Sequence, residues 1–225
     1  VIYETWVPMV NAQGGLNLGG KKLPIELLIY DDKSDVATMT RLTEKLIVED
    51  KVDFLWPACG TSFVFGQAPI ANKYEYVLVT AEGGATTLKD ALYTLPYSFI
   101  SLSFSDWYQI PVLAKLLAEK GVKTAYVTYI ADLHGIEYSG VAGIEFGKVG
   151  IKILGNVSLP PELTDFAPIV AAAKASGADA FCSFAYPGQI MPITGTAIAL
   201  GYNPKAFLLG PGANFGFYHT AFGPA

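Results

Sequence analysis

Short apolar runs rich in Val, Ile, Tyr and Phe alternate along this chain with longer segments whose apolar residues recur every three or four positions. The short runs suit buried strands and the longer period suits helices with one buried stripe, so the alternation predicts βαβ units and a parallel sheet. Candidate strands fall at 25–30, 54–56, 77–80, 98–101, 124–129, 152–157, 180–184 and 206–209. Helices fill most of the intervals. Met39, Leu42 and Leu46 follow the cap-like Ser34-Asp35, and Ile110, Leu113 and Leu117 follow Ser105-Asp106. Phe166, Ile169, Val170 and Ala173 lie between the start signal Thr164-Asp165 and the stop signal Gly177.

A chain of 225 residues, 52% hydrophobic and 16% charged, has enough apolar surface for a large core. Its length admits one large domain or two smaller ones. Two are expected, because the strand-like stretch at 97–103 runs straight into a new helix start at Ser105, which predicts an interdomain crossover over 97–104. The division is therefore 1–100 and 101–225. Residues 1–10 read as part of a helix although a parallel α/β domain normally opens with a strand, and residues 215–225 read as loop without a closing helix. The chain is expected to be trimmed at both ends.

Net charge is −5 and there is a single arginine, Arg41, so no basic face offers itself to nucleic acid. The longest apolar runs fall far short of a bilayer span. Cys59 and Cys182 lack the paired spacing of a zinc site and read as two small buried apolar residues. Gly-x-Ser-x-Gly, His-Glu-x-x-His, a P-loop and Gly-x-Gly-x-x-Gly are all missing, and two histidines are few for metal or base work. Asp31-Asp32 reads as a turn and helix lead-in rather than a metal pair. Asn156-Val157-Ser158 matches a glycosylation sequon but sits on a predicted strand. No catalytic residue, metal or cofactor is assigned.

Four strand ends carry turns that could hold a ligand. Pro57-Ala58-Cys59-Gly60-Thr61-Ser62 leads into a helix from Phe63 to about Lys73, which puts two hydroxyls where backbone N–H groups are unpaired, a ready carboxylate site. Plain helix capping is the competing reading of Thr61 and Ser62. Ala81-Glu82-Gly83-Gly84-Ala85-Thr86 leaves the next strand end, where ligands bind in open α/β sheets. In the second half, His134 and Tyr186 follow two further strand ends and would face the first pair across a cleft. An isolated loop histidine without a role competes for His134.

Several of these stretches occur together in one known family. Asn11-Ala12-Gln13-Gly14-Gly15, Leu28-Ile29-Tyr30-Asp31-Asp32, Ala68-Pro69-Ile70-Ala71, Thr164-Asp165-Phe166 and Ala199-Leu200-Gly201-Tyr202 resemble Leu/Ile/Val-type periplasmic binding proteins of ABC importers, over nearly the whole chain. The resemblance implies an α/β fold of two Rossmann-like lobes with parallel sheets, the type I periplasmic-binding fold. It also implies that the first strand and roughly the last third of a full-length protein lie outside this sequence. The implied ligand set is Thr61, Ser62, Glu82, Gly83, Gly84, His134 and Tyr186. The acid that such proteins place against a substrate's α-ammonium falls on Gly212.

An ammonium in a dry cleft without a counter-charge is costly, so the Gly212 departure points to a carboxylate ligand with no obligatory α-ammonium, such as an aromatic or branched organic acid. Glu82 is the alternative source of that charge, and Phe63, Trp107 and Tyr186 are the aromatics expected near the ligand body. The resemblance implies an exported monomer, periplasmic or extracellular, that closes on its ligand and meets an ABC permease in the membrane. A receptor's sensor domain of the same fold is the alternative, and an α/β enzyme is the more distant one.

Overall fold

A computed structural model describes residues 2–81, 83–101 and 104–223. The order of elements is α1 (Ile2–Ala12), β1 (Leu16–Leu18), β2 (Lys21–Leu23), α2 (Val36–Val48), α3 (Thr61–Lys73), β3 (Leu78–Thr80), α4 (Thr86–Leu92) and β4 (Ser98–Ile100). A single π-helical turn, Ser105–Gln109, leads to α5 (Ile110–Glu119), β5 (Thr124–Ile130), α6 (Leu133–Lys148), β6 (Lys152–Leu159), α7 (Ala167–Ser176), β7 (Ala180–Phe184), α8 (Pro187–Ala199), β8 (Ala206–Leu209) and α9 (Gly216–Phe222).

The second half is a four-stranded parallel sheet in the order β6-β5-β7-β8. Side chains alternate across a strand, so Ala125, Val127, Ala180 and Cys182 face one layer and Tyr126 and Phe181 face the other. The first layer is α5 and α6, which bring Ile110, Leu117, Ala142 and Phe146. The second is α7 and α8, which bring Val170, Ile190 and Ile193. Every residue of β7 is buried, as expected of a central strand covered on both faces. Helix α7 ends as its sequence predicts, with Gly177 in the left-handed region at φ 66°.

In the first half, β3 and β4 form a two-stranded parallel sheet, and Ile47, Leu55, Val64, Ala68, Leu78 and Leu88 make its core. The stretches 25–30 and 54–56 are not strands in the structure. Their composition suits a strand, yet no neighbour among the described residues supplies a ladder, and Leu28, Ile29 and Phe54 lie exposed. The 25–30 stretch is instead tied by side chains. Asn11 donates to the Ile25 carbonyl at 2.9 Å and accepts from its N–H at 2.7 Å, and Tyr30 donates to Asp50, which Lys45 also binds.

Three further expectations change. Gly19-Gly20 turns an antiparallel hairpin between β1 and β2 that the search for parallel units passed over. Residues 216–222 form α9 where a loop was expected. Cys182 is buried, and burial pushes its thiol up to about 12, but Cys59 is exposed. Asp31 and Asp32 each accept from a backbone N–H two residues on, at 2.8 Å, as a turn and helix lead-in should. Of the predicted crossover, Leu102 and Ser103 lie outside the described residues; before them β4 pairs with β3, and after them the Ser105 N–H donates to the Gly84 carbonyl at 2.8 Å.

Candidate functional site

Helix α3 begins two residues earlier than its sequence period indicates. Its N-cap is Gly60, which has no side chain to cap with and holds φ 106°, a conformation open to glycine. Thr61 is thereby the first helical residue, and it is 1% exposed with no hydrogen-bond partner for Oγ1. A buried hydroxyl left unpaired costs about 1–3 kcal/mol. The Thr61 hydroxyl is not spent on capping, and it stands beside the unpaired N–H groups and positive dipole end of a 13-residue helix. Ser62 follows it, half-buried.

The second half meets this helix end with two rings. β5 and β7 are neighbours in the sheet, and the chain leaving each at its carboxyl end supplies one ring. His134 lies in the first turn of α6, started by the Asp132 side chain, which accepts from the Gly135 N–H at 2.8 Å. Tyr186 is the N-cap residue of α8. The two rings stack at 5.3 Å, and His134 also packs on Tyr138 at 4.1 Å. A β-carbon built on Gly60 would lie 3.1 Å from the Tyr186 hydroxyl, and one built on Gly84 would lie 2.1 Å from that of Tyr138. Thus Gly60 and Gly84 of the first half receive Tyr186 and Tyr138 of the second.

The electrostatics of this seam are uniform. Burial holds His134 below its ordinary pKa, against the opposing pull of Asp132 and Glu137, so the imidazole is neutral. It is 6% exposed and its Nε2 has no hydrogen-bond partner. Burial likewise pushes the Tyr186 and Tyr138 phenols up, with Asp132 and Glu137 adding to the effect. Two unpaired buried polar atoms therefore belong to this seam, His134 Nε2 on the ring that stacks with Tyr186 and Thr61 Oγ1 on the residue next to Gly60, which receives Tyr186. Buried side-chain atoms of Ser98, Thr128, Ser183, Gln189 and Tyr202 also lack a partner, so it is their place at the seam that marks Thr61 and His134. Among the described residues no group of three or more His, Cys, Asp and Glu could hold a metal ion.

The profile of the family described as periplasmic binding protein matches residues 3–225. The chain belongs to that family. It is 23% identical over 185 residues to the Leu/Ile/Val-binding protein homolog 6 of Brucella abortus (strain 2308), an alignment that covers 81% of this chain and 45% of the Brucella protein. Its fold is the type I periplasmic-binding fold. The branched-chain amino acid transporter substrate binding protein LivJ of Streptococcus pneumoniae, in complex with isoleucine, superposes with a TM-score of 0.80 at 19% identity, over 97% of this chain and 60% of LivJ. A solute binding protein of an ABC transporter from Rhodopseudomonas palustris BisB5, in complex with 3,4-dihydroxybenzoic acid, gives 0.76 at 21% identity, over 92% and 55%. The chain thus spans about half the length of the relatives it matches. Family and fold are those of binding proteins.

Within this family member, the residues singled out from the sequence take distinct places. Thr61, Gly84, His134 and Tyr186 line the seam, with Ser62 beside Thr61. Gly83 is turned inward, where a β-carbon would meet Leu88 at 2.4 Å and Val64 at 3.4 Å. Glu82 lies outside the described residues. Gly212 holds φ 115° against Pro187 and Ile190 in the first turn of α8, immediately after Tyr186, and its N–H is 3.4 Å from Asn214 Oδ1. Phe63 borders the seam, 3.6 Å from the β-carbon position of Gly60. Trp107 is half exposed, edge-on to Phe104 with Lys89 over its ring. Tyr138 and Glu137 were not singled out. Their spacing of four and three residues after His134 puts them on the same helix face, which is the signal that could have found them.

Proposed function

We propose that this chain is the ligand-holding part of an exported solute-binding protein that takes a small carboxylate between two lobes and delivers it to an ABC importer. The lobes divide near residue 100, and closure rather than bond chemistry is the functional step. The observation that carries the reading is the Thr61 hydroxyl, buried and unpartnered at the start of α3. It and the helix N–H groups are donors suited to an anion. The neutral His134 and Tyr186 offer a flat polarisable wall for the ligand body. The ligand adds its differential free energy to closure.

The relatives favour this class of ligand, since one holds isoleucine and another 3,4-dihydroxybenzoic acid. A carboxylate is common to both. Gly212 supplies no acid for an α-ammonium, which favours organic acids over amino acids. Membership of the family supports a permease partner and an extracytoplasmic location.

Titration calorimetry with matched pairs tests the reading. Leucine is compared with 4-methyl-2-oxopentanoate, and phenylalanine with benzoate and 3,4-dihydroxybenzoate. Binding of the acids without their amino counterparts is the expected result. Exclusive binding of the amino acids would reject the inference from Gly212, and binding of none would reject the carboxylate reading.

A further inference from the structure

Glu137 stands on α6 in the second half of the chain, yet its carboxylate reaches Thr86 and Thr87 of the first half, with Ser105 of its own half as a further donor. Oε2 accepts from the Thr87 N–H at 3.0 Å and from the Thr87 hydroxyl at 2.9 Å, while Oε1 accepts from the Thr86 N–H and from the Ser105 hydroxyl. Burial pushes this carboxyl up, but the Ser105 hydroxyl, the Thr87 and Thr86 N–H groups and the Thr87 hydroxyl outweigh it and hold Glu137 below the ordinary carboxylate range. One residue along, Tyr138 donates to Gln109 Oε1 at 2.7 Å and presses on Gly84.

We propose that Glu137 is a clasp, a positioning residue that holds the two lobes together by placing its carboxylate on Thr86 and Thr87 of α4, with Ser105 of its own lobe steadying it there. The inference rests on the two-lobe closure described above, but it concerns what holds the lobes, not what they hold. A carboxylate tethered to one lobe and bound by the other adds to closure whatever the ligand is, because opening must return that charge to water with its donors separated. Each charged hydrogen bond given up shifts such an equilibrium by about tenfold or more. Glutamine in its place keeps one acceptor oxygen and turns an amide against the N–H groups.

Small-angle scattering of the chain without added ligand tests the clasp. The wild-type chain is expected to give the compact profile of the present arrangement. Glu137→Gln is expected to raise the radius of gyration, with the closed-to-open ratio falling at least about tenfold, while its melting temperature moves little. Thr87→Val, an exposed change from the opposite lobe, removes a single hydroxyl donor and is expected to open the chain in the same direction by less, so it carries the test if Glu137→Gln does not fold. Unchanged scattering in the folded variants overturns the proposal, and so does a wild-type chain already as expanded as they are. Since no ligand enters this assay, a wrong ligand class cannot produce either outcome.

Discussion

The Tyr186 hydroxyl comes so close to Gly60 that a β-carbon there would sit 3.1 Å away, and the ring that stacks on the unpaired His134 thereby meets the residue next to the unpaired Thr61. A side chain at position 60 meets two costs. Its φ of 106° strains any L-residue, and Tyr186 must give way. Gly60→Ala is expected to lower unfolding stability by about 1–3 kcal/mol. Urea denaturation measures it, and recovery of only part of the loss in Gly60→Ala/Tyr186→Phe separates backbone strain from ring contact. No loss in the single variant would contradict the geometry.

Thr61→Val replaces a buried hydroxyl by a methyl of nearly the same size. Because Oγ1 has no partner in the fold, the melting temperature is expected to hold or rise. Affinity for whichever carboxylate binds is expected to drop about tenfold, the worth of one hydrogen bond to a charged group. Calorimetry beside a melting curve decides between this and a structural hydroxyl, whose loss would lower the melting temperature and spare binding.

Acid should weaken the fold through His134. Burial holds its pKa below the ordinary 6.5, so the unfolded chain takes up that proton at higher pH than the folded one. The contribution is complete above pH 6.5 and is lost as pH falls through the folded value. Unfolding free energies measured between about pH 7.5 and 5 should therefore slope downward on acidification. The slope is expected to lessen in His134→Gln, and an unchanged slope in that variant would assign the acid sensitivity to other groups.

Helix α6 carries Gly140, Gly143 and Gly147 on its exposed side, and a β-carbon at any of them meets nothing within 4 Å. Alanine there costs no contact and reduces the freedom of the unfolded chain, so each change is expected to add about 0.4–1 kcal/mol. Gly155 is the contrast, since its β-carbon would lie 2.3 Å from the Tyr126 ring that stacks on Phe181. Gly155→Ala is expected to cost about 1–3 kcal/mol. Equal effects at Gly140 and Gly155 in denaturant melts would refute the packing account.

The sheet of the second half was legible because β5, β7 and β8 are each followed or preceded by a periodic helix that covers them, so composition and partner coincide. In the first half they do not. The 25–30 stretch reads as strand from Leu28, Ile29 and Tyr30, but a strand also requires a neighbour, and propensity does not encode one. The hairpin went unread because Lys21 and Lys22 make β2 polar. At the site, Thr61 and His134 were both legible from turns after predicted strand ends, although the 54–56 stretch before Thr61 is not a strand in the structure. Glu137 and Tyr138 escaped because their roles depend on Thr87 and Gly84, some 50 residues earlier in the chain.

The paired bonds between the Asn11 amide and Ile25 reproduce one rung of a ladder with a side chain in place of a strand. Tyr30, held by Lys45 and Asp50, pins the other end of the same stretch. Residues 26–29 are thereby held between two fixed points, with Leu28 and Ile29 exposed. The segment itself therefore cannot slide along its length against α1 and α2. A slip by one residue would have to break a polar anchor before it could form.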